Sequence, residues 1–431
     1  MLMQQMIEFN ALNYPDSTAL QTGKESLSYR EFDRQCNQLA NGLRARGLQS
    51  GDRVAILAKN SPRYLMLITA CLKAELTLVP LNYRLAPQEL KFILDDCGAS
   101  MLVVGDAELR AAAEASSATG TIAHCLSFEG SQCDWQDFNT LFDSGATSKP
   151  QHSGRSDGVV FQLYTSGTTG LPKGVMIGHE QLTNGYVMGN HIPPRCQIGH
   201  TGIMPLPLFH VAGLAAGLFW LCNGYRVQLL ADFIPQEVVD AIVSSEGCDA
   251  VLVPAMIQAI LAFVPNIQDY DFTPLQRITY GASPISIEVL QQAIAIFKCD
   301  FVQGYGMTEL SCMVMALQAS DHQRALHGSE GRLDPRQQNV GAPDFISSQI
   351  LTVCLHHIAS IELCCNRFFL DVLLPGNTPP LGVVLDPGAD AGGDAAGRVA
   401  AHPQPYPQKR DPTAPRRKAK DSAEAHPQNQ S

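Results

Sequence analysis

Between Ser28 and Gly105 the apolar positions change period several times, and each change marks an element boundary. In "SLSYREFDRQCNQLANGLRARG", Phe32, Cys36, Leu39, Ala40 and Leu43 recur at three- and four-residue intervals, which lines one face of a helix. Ser28 and Glu31 stand before it at capping-box spacing, and Gly47 is placed to end it. "DRVAILA" is a short unbroken apolar run, as a buried strand requires. "NSPRYLMLITACLKA" sets Pro62 at the first position of a helix, and "LTLVPLN" is strand again. "APQELKFILDDCGA" predicts a third amphipathic helix, with "SMLVVG" as the strand after it. Strand and helix in strict alternation predict an α/β fold built on a doubly wound, parallel sheet.

The pattern fades over residues 106–155, which are rich in Ala, Ser and Gly; they read as a variable crossover and a surface loop. "DGVVFQLY" resumes as a strand. "HTGIMPLPLFHVAGLAAGLFWLCNG", "YRVQLL", "CDAVLVPAMIQAILAFV", "RITYGAS" and "CDFVQGYGMTEL" carry the rhythm on to about residue 318. After Pro343 it stops. Residues 344–376 are apolar without a period, and residues 377–431 are a low-complexity run of Pro, Ala, Gly and charge that reads as disordered.

Bulk properties narrow the classes. A chain of 431 residues, 45% hydrophobic, can bury a large core and exceeds one ordinary domain. Its net charge of −11, with no basic stripe in the first 340 residues, speaks against nucleic acid as a partner. The basic run "RRKAK" (416–420) falls in the low-complexity tail and reads as solvated charge. Thirteen scattered Cys read as reduced, buried thiols, hence a cytoplasmic protein. Cys354, His356, His357, Cys364 and Cys365 cluster in sequence but lack the paired spacing of a zinc site, so the grouping reads as incidental. "MLMQQMIEFNALNYPD" has no basic region leading into an apolar run, so no signal peptide is expected. No stretch reaches the roughly 18 to 20 apolar residues of a membrane span.

The candidate chemistry is concentrated in four stretches. "YTSGTTGLPKGV" (164–175) crowds glycines, hydroxyls and one cation, Lys173, behind a strand. Bare backbone N–H groups, hydroxyl donors and an ammonium are what a phosphate needs. The spacing is not that of a Walker A loop, because Pro172 precedes the lysine and Gly174 follows it. "PLPLFHVAG" (205–213) sets His210 between a Pro-rich strand end and small residues. "YGASPI" (280–285) is a strand end and a tight turn. "QGYGMTE" (303–309) offers Tyr305 to stack on a base, Thr308 to bond a phosphate and Glu309 to hold Mg²⁺. Taken together, these parts describe a nucleoside triphosphate site. Taken singly, each has a plain structural reading: a flexible linker, a core histidine, a core aromatic.

From about residue 10 to Pro343 the chain resembles the adenylate-forming superfamily of acyl-CoA synthetases, luciferases and peptide-synthetase adenylation domains. "VPLNYRLAPQELKFILDDCGASMLVV" points to the acid–thiol ligase branch. The resemblance implies two doubly wound, mostly parallel sheets with flanking helices. It also implies that Thr165, Ser166, Gly167, Thr168, Thr169, Gly170 and Lys173 hold the β- and γ-phosphates of ATP. Gly281, Ala282 and Ser283 would line the adenine, with Tyr305 against its face, and Gly304, Gly306 and Met307 would also belong to the nucleotide site. Thr308 would contact the α-phosphate, Glu309 would bind Mg²⁺, and His210 would sit at the acyl pocket. His210, Lys173 and Thr308 are the residues assigned to catalysis. A carboxylic acid and ATP would give acyl-AMP, from which coenzyme A would take the acyl group. Gly213, Ala215, Ala216 and Gly217 would leave room for the acid, read here as fatty or otherwise aliphatic.

Members of the superfamily continue into a barrel subdomain and a small mobile domain with a late lysine, and no such motif is legible after residue 343. The abrupt change there reads as a shifted reading frame or a gene-model fusion. Two outcomes follow: an acyl-CoA ligase that retains adenylating chemistry, or an inactive ATP- or acyl-binding remnant.

Overall fold

The computed structural model describes residues 2–23, 25–116, 120–131, 134–151, 157–165, 171–191 and 198–327. Ser166, Gly167, Thr168, Thr169 and Gly170 lie outside the described residues. So do the apolar segment 344–376, the Cys/His grouping, the low-complexity tail and the boundary at Pro343.

Helix α1 (Met3–Asn13) and the hairpin of β1 (Thr18–Thr22) and β2 (Glu25–Ser28) precede α2 (Tyr29–Ala45). The capping box is present: the Ser28 hydroxyl accepts from the Glu31 N–H, and the Glu31 carboxylate accepts from the Ser28 N–H at 3.0 Å. All five residues of the expected helical face are fully buried. Then come β3 (Arg53–Leu57), α3 (Pro62–Lys73), β4 (Thr77–Leu81), α4 (Pro87–Cys97) and β5 (Met101–Val104). Pro62 begins α3, and the Ser61 hydroxyl caps it by accepting from the Tyr64 N–H.

The expectation of a loop over 106–155 is corrected by the structure. Here lie α5 (Ala107–Ser116), β6 (His124–Ser127), β7 (Gln136–Asp137) and α6 (Thr140–Ser144). Strands of four and two residues carry too few positions to show a period. They owe their form to pairing, β6 on β5 and β7 on β6, rather than to local preference.

The chain continues through β8 (Val159–Thr165), β9 (Lys173–Gly178) and α7 (His179–Asn190) to β10 (Thr201–Met204), α8 (Val211–Cys222), β11 (Arg226–Leu229) and α9 (Pro235–Val243). The last described elements are β12 (Cys248–Leu252), α10 (Pro254–Phe263), β13 (Leu275–Gly281), α11 (Ile287–Phe297), β14 (Asp300–Met307), β15 (Cys312–Leu317) and α12 (Ala319–His327). One sheet runs β7-β6-β5-β3-β4-β8-β9 and is parallel except for its last pair. The other runs β15-β14-β13-β12-β10-β11-β1-β2 and is parallel except at its two ends. The fold is therefore α/β with two mostly parallel sheets, as expected.

The cores show how the layers stack. Val54 and Ile56 of β3, Val227 and Leu229 of β11, and residues of α2, α3 and α8 share one cluster, so these helices lie between the sheets. Ala55 and Leu57, the alternate residues of β3, face outward onto α4. The outer face of the second sheet is covered by α9, α10 and α11. From Tyr64 to Lys73 every residue of α3 is buried, as a helix enclosed on all sides requires. Lys73, 1% exposed, pairs with Glu8 of α1 at 2.7 Å and Asp33 of α2 at 2.8 Å. Among the described residues no helix is long and apolar enough to cross a membrane.

Candidate nucleotide and acid site

The site forms at the C-terminal ends of the parallel strands, where open α/β sheets place their ligands. Gly281 closes β13 opposite Gly304 of β14. A Cβ on Gly281 would lie 2.4 Å from the Gly304 carbonyl oxygen, so the strands approach there only because a side chain is missing. Ala282 then turns the chain away at φ +69°, in the left-handed region. Beyond Gly304, Tyr305 is 40% exposed on β14 opposite Met315 of β15. Thr308–Leu310 make a single tight turn into β15. Ser311 (φ 59°) and Cys312 (φ 112°) complete that turn in backbone conformations that side chains seldom adopt.

The phosphate-loop candidate is the connection of a β-hairpin. Thr165 of β8 and Lys173 of β9 are directly paired across its base, and Lys173 is exposed. The base is anchored because the Tyr164 hydroxyl donates to the Asp96 carboxylate at 2.5 Å. Burial first, and that carboxylate second, push the phenol well above its ordinary pKa, so it remains a donor. Strand β9 packs against the turn Thr308–Leu310. The strand that Lys173 begins and the turn that carries Thr308 and Glu309, each part of a different sheet, thus pack against each other.

Glu309 is exposed. Among the described residues no group of three or more His, Cys, Asp or Glu could hold a metal alone. A single exposed carboxylate is compatible with Mg²⁺, which binds through one or two carboxylates plus the phosphates of its nucleotide.

Beside these motifs lies a cavity of about 220 Å³ between β12, β13, β14, β15 and helices α7 and α8. Gly281, Ala282, Gly304 and Gly306 are part of its wall, so the nucleotide motifs and the cavity share a boundary. Of the four small residues expected to leave room, Ala215 and Ala216 line it. Gly213 and Gly217 do not, which corrects that reading. A Cβ on Gly213 would strike the Pro207 carbonyl oxygen at 2.3 Å, and one on Gly217 would meet Met204 and Leu65 at about 3.4 and 3.5 Å. Gly213 thus serves close packing, whereas at Gly217 a methyl would make only ordinary contact.

His210 occupies the position before α8, and the next two residues, Val211 and Ala212, line the cavity. Its imidazole packs on Phe209 with ring centres 4.5 Å apart. The residue is exposed as a whole, but protein crowded around the ring withholds part of its solvation and Arg84 repels its charged form. Both effects lower its pKa, crowding first. At neutral pH the ring is uncharged.

Sequence reasoning missed the α7 wall of the cavity and two charged residues of its lining. Gly185 and Gly189 line the wall one helical turn apart, a spacing that could have signalled a face cleared of bulk. Asp249 and Arg277 also line the cavity, and neither shows its partner in the sequence.

A family profile described as AMP-binding enzyme matches residues 7–340. Fatty acid–[acyl-carrier-protein] ligase ScoC of Streptomyces coeruleorubidus is 31% identical over 329 residues, covering 74% of this chain and 60% of that protein. Feruloyl-CoA synthase of an Amycolatopsis species is 34% identical over 308 residues, covering 70% of this chain and 58% of that protein. The inhibitor-bound N-terminal domain of FACL13 from Mycobacterium tuberculosis matches with a TM-score of 0.68 and 27% identity, over 75% of this chain and 80% of that one. The chain thus spans about 60% of the length of the curated relatives it matches.

Proposed function

The chain belongs to the AMP-binding enzyme family, and from that premise we propose that it activates a carboxylic acid with ATP, through an acyl-adenylate to a coenzyme A thioester. The observation that carries this reading is the meeting of Lys173's strand with the Thr308–Leu310 turn beside an apolar cavity.

In this proposal Thr165 to Gly170 and Lys173 hold the β- and γ-phosphates. Gly281, Ala282 and Ser283 border the adenine, and Tyr305, flanked by Gly304, Gly306 and Met307, covers its face. Thr308 donates to the α-phosphate. Mg²⁺, held by Glu309 and the phosphates, would offset charge on the triphosphate. A carboxylate oxygen of the acid attacks the α-phosphorus and pyrophosphate leaves. Charge that grows on the phosphoryl oxygens meets donors already in place, which is where such sites gain most of their rate. His210, neutral and beside the cavity mouth, orients the acid by hydrogen bonding without repelling the Lys173 ammonium. In the second step the coenzyme A sulfur attacks the acyl carbon and AMP leaves.

The acid is proposed from the cavity. About 220 Å³ falls below the roughly 300–1,000 Å³ of ligand pockets in general. An aliphatic acid of short or medium length, or an aryl acid of similar bulk, fits it better than a long fatty chain. One relative's name specifies a fatty acid and another's a feruloyl group, so both shapes have precedent in the family. A cytoplasmic setting is part of the proposal: Cys36, Cys71, Cys222 and Cys248 are free and buried, and burial pushes the Cys248 thiol up to about 12.

The test is to incubate the full chain with ATP, Mg²⁺ and a panel of acids, following acid-dependent pyrophosphate exchange and thioester separately. Exchange that requires both the acid and Lys173 supports the proposal. Nucleotide binding without exchange for any acid would identify a binding module instead.

A further inference from the structure

The hairpin that carries Lys173 is held by a carboxylate outside the four stretches of candidate chemistry. Among the described residues β8 is in register with β4 at one pair, Phe161 with Leu78. With β9 its pairing runs on through Gln162–Met176, Leu163–Val175 and Tyr164–Gly174 to Thr165–Lys173. Strand β9 is the last of its sheet, so in its backbone ladder the end that bears Lys173 is a two-stranded ribbon. Such a ribbon is marginal by itself, and side chains must fix where it stands.

Tyr164 does this. Gln162 and Tyr164 point to one face of β8, and Gln162 Nε2 donates to the Tyr164 hydroxyl at 3.0 Å. Across the ladder stands Gly174, the neighbour of Lys173. A Cβ on Gly174 would lie 2.6 Å from Gln162 Nε2, 2.9 Å from Tyr164 Cζ and 3.1 Å from the Tyr164 oxygen. The ring therefore lies over β9 where a glycine leaves space for it, and its hydroxyl donates to the Asp96 carboxylate of α4. The receiving end is firm. Leu90, Ile93, Leu94 and Cys97 of α4 are buried in the core on the outer face of the same sheet. Asp95 pairs with Lys91 along the helix at 2.7 Å, and Asp96 reaches the hairpin.

We infer that Asp96 is a positioning residue for the nucleotide: through Tyr164 it sets where the hairpin stands, and hence where Thr165 and Lys173 meet the β- and γ-phosphates. The division of the site between two sheets makes the effect selective. The adenine turn follows β13 and the Thr308 turn follows β14, both in the other sheet, so a loosened hairpin should cost a triphosphate its terminal contacts and leave a monophosphate its own. The inference rests on the reading of the loop from Thr165 to Lys173 as the phosphate holder.

Titration calorimetry of the full chain with Mg·ATP and with AMP tests it, on the parent, Tyr164→Phe, Asp96→Ala, the double variant and Lys173→Ala. Tyr164→Phe keeps the ring over Gly174 and removes only the hydroxyl, and Asp96→Ala removes an exposed side chain without opening the core. Each should weaken Mg·ATP roughly tenfold, the scale of one hydrogen bond to a charged group, and leave AMP unchanged. The double variant should lose no more than either single one, because all three delete the same bond. Parent-like Mg·ATP affinity in both single variants overturns the inference. So do equal losses for ATP and AMP, which mark general loosening, and losses that add in the double variant. Should Tyr164→Phe not fold, Asp96→Ala decides. Weakened Mg·ATP binding in Lys173→Ala beside parent-like affinity in the other variants leaves the phosphate-loop reading standing and sinks this inference alone. If Lys173→Ala binds Mg·ATP as the parent does, or the parent binds no nucleotide, that reading falls first and takes this one with it.

Discussion

One added methyl at Gly306 is expected to disable the nucleotide site, whereas the same methyl at Gly304, two residues earlier on β14, should be tolerated. Both glycines line the cavity, so composition and location alone do not separate them. Contacts do. A Cβ at Gly306 would stand 1.6 Å from the Cys312 carbonyl oxygen and 2.5 Å from its carbon. These are backbone atoms of β15, and ordinary contact begins near 3.4 Å, so Gly306→Ala must force the two strands apart. At Gly304 the nearest atom is the Met313 sulfur at 2.6 Å, on a flexible side chain that can swing away. Overpacking costs about 1–3 kcal/mol, and Gly306→Ala belongs at or above the top of that range because backbone must move. The pairs Gly306–Met313 and Met307–Cys312 would loosen as well, each hydrogen bond worth about 1 kcal/mol. A loss of about 3–4 kcal/mol is expected at Gly306, and less than about 1.5 kcal/mol for Gly304→Ala.

The functional consequence follows from the same geometry. Thr308 and Glu309 hang from the end of this hairpin, so a displaced β15 carries them away from Lys173 and nucleotide affinity should fall at least about tenfold, or 1.4 kcal/mol. Calorimetric melting and titration with Mg·ATP measure the two effects separately. Parent-like affinity in Gly306→Ala would refute the placing of the hairpin beside the nucleotide. Equal damage from both variants would refute the steric argument.

Lys173→Ala should weaken nucleotide binding by roughly 2–4 kcal/mol, the scale of one donor facing concentrated charge, and leave acid binding nearly unchanged; titration of each ligand separates the two. Glu309→Gln keeps the shape of the side chain and removes its charge, so nucleotide affinity should lose its dependence on added Mg²⁺; equal dependence in variant and parent removes Glu309 from the metal site. Burial would raise the Glu8 pKa, but the Lys73 and Lys149 ammoniums bring it below its ordinary 4.5, so its contribution to stability is complete above that value and is lost as pH falls through the folded one. Lys73→Met should cost about 3–5 kcal/mol at neutral pH, as breaking a buried pair does, and should become less destabilising as pH falls through the folded Glu8 pKa, which lies below 4.5; a penalty that does not shrink between pH 7 and roughly pH 3 counts against the pairing.

How far the sequence could be read depended on how local each signal was. The cap at Ser28, the start of α3 at Pro62 and the buried face of α2 are written within a few residues, and the structure has them as expected. The short strands at 124–127 and 136–137 were illegible because a two- or four-residue strand takes its form from a neighbour distant in sequence. The same holds in the site. The glycines and hydroxyls of 164–175 and the "GYGMTE" stretch each announce chemistry, but that β9 lies against the Thr308–Leu310 turn depends on how the two sheets pack. Asp249 and Arg277 are individually unremarked charges in apolar strands. Only register, Asp249 on Arg277 and Val251 on Thr279, turns them into one feature facing one cavity. Gly213 failed in the other direction: small size signalled room, but its missing side chain admits the Pro207 backbone instead of a ligand.

Where the molecule is strained and where it is not form a single arrangement. Of the non-glycine residues described with positive φ, Ala282, Ser311 and Cys312 all border the cavity. Such conformations cost about 1–3 kcal/mol each and persist only where the surroundings over-determine them. Here β13 and β14 supply that constraint, since they are interior strands of the sheet backed by the α9–α11 core. The β15 edge is constrained differently, by one antiparallel partner and by contacts with α7 and α8. All six of its residues are only partly buried, whereas β12 and β13 each bury most of theirs. The rim that carries Thr308 and Glu309 is therefore less supported than the wall formed by β13, which ends at Gly281. A ligand that bridges Lys173 and the Thr308–Glu309 turn would tie that weak edge to the neighbouring sheet, so nucleotide binding should order β15 far more than it orders β13.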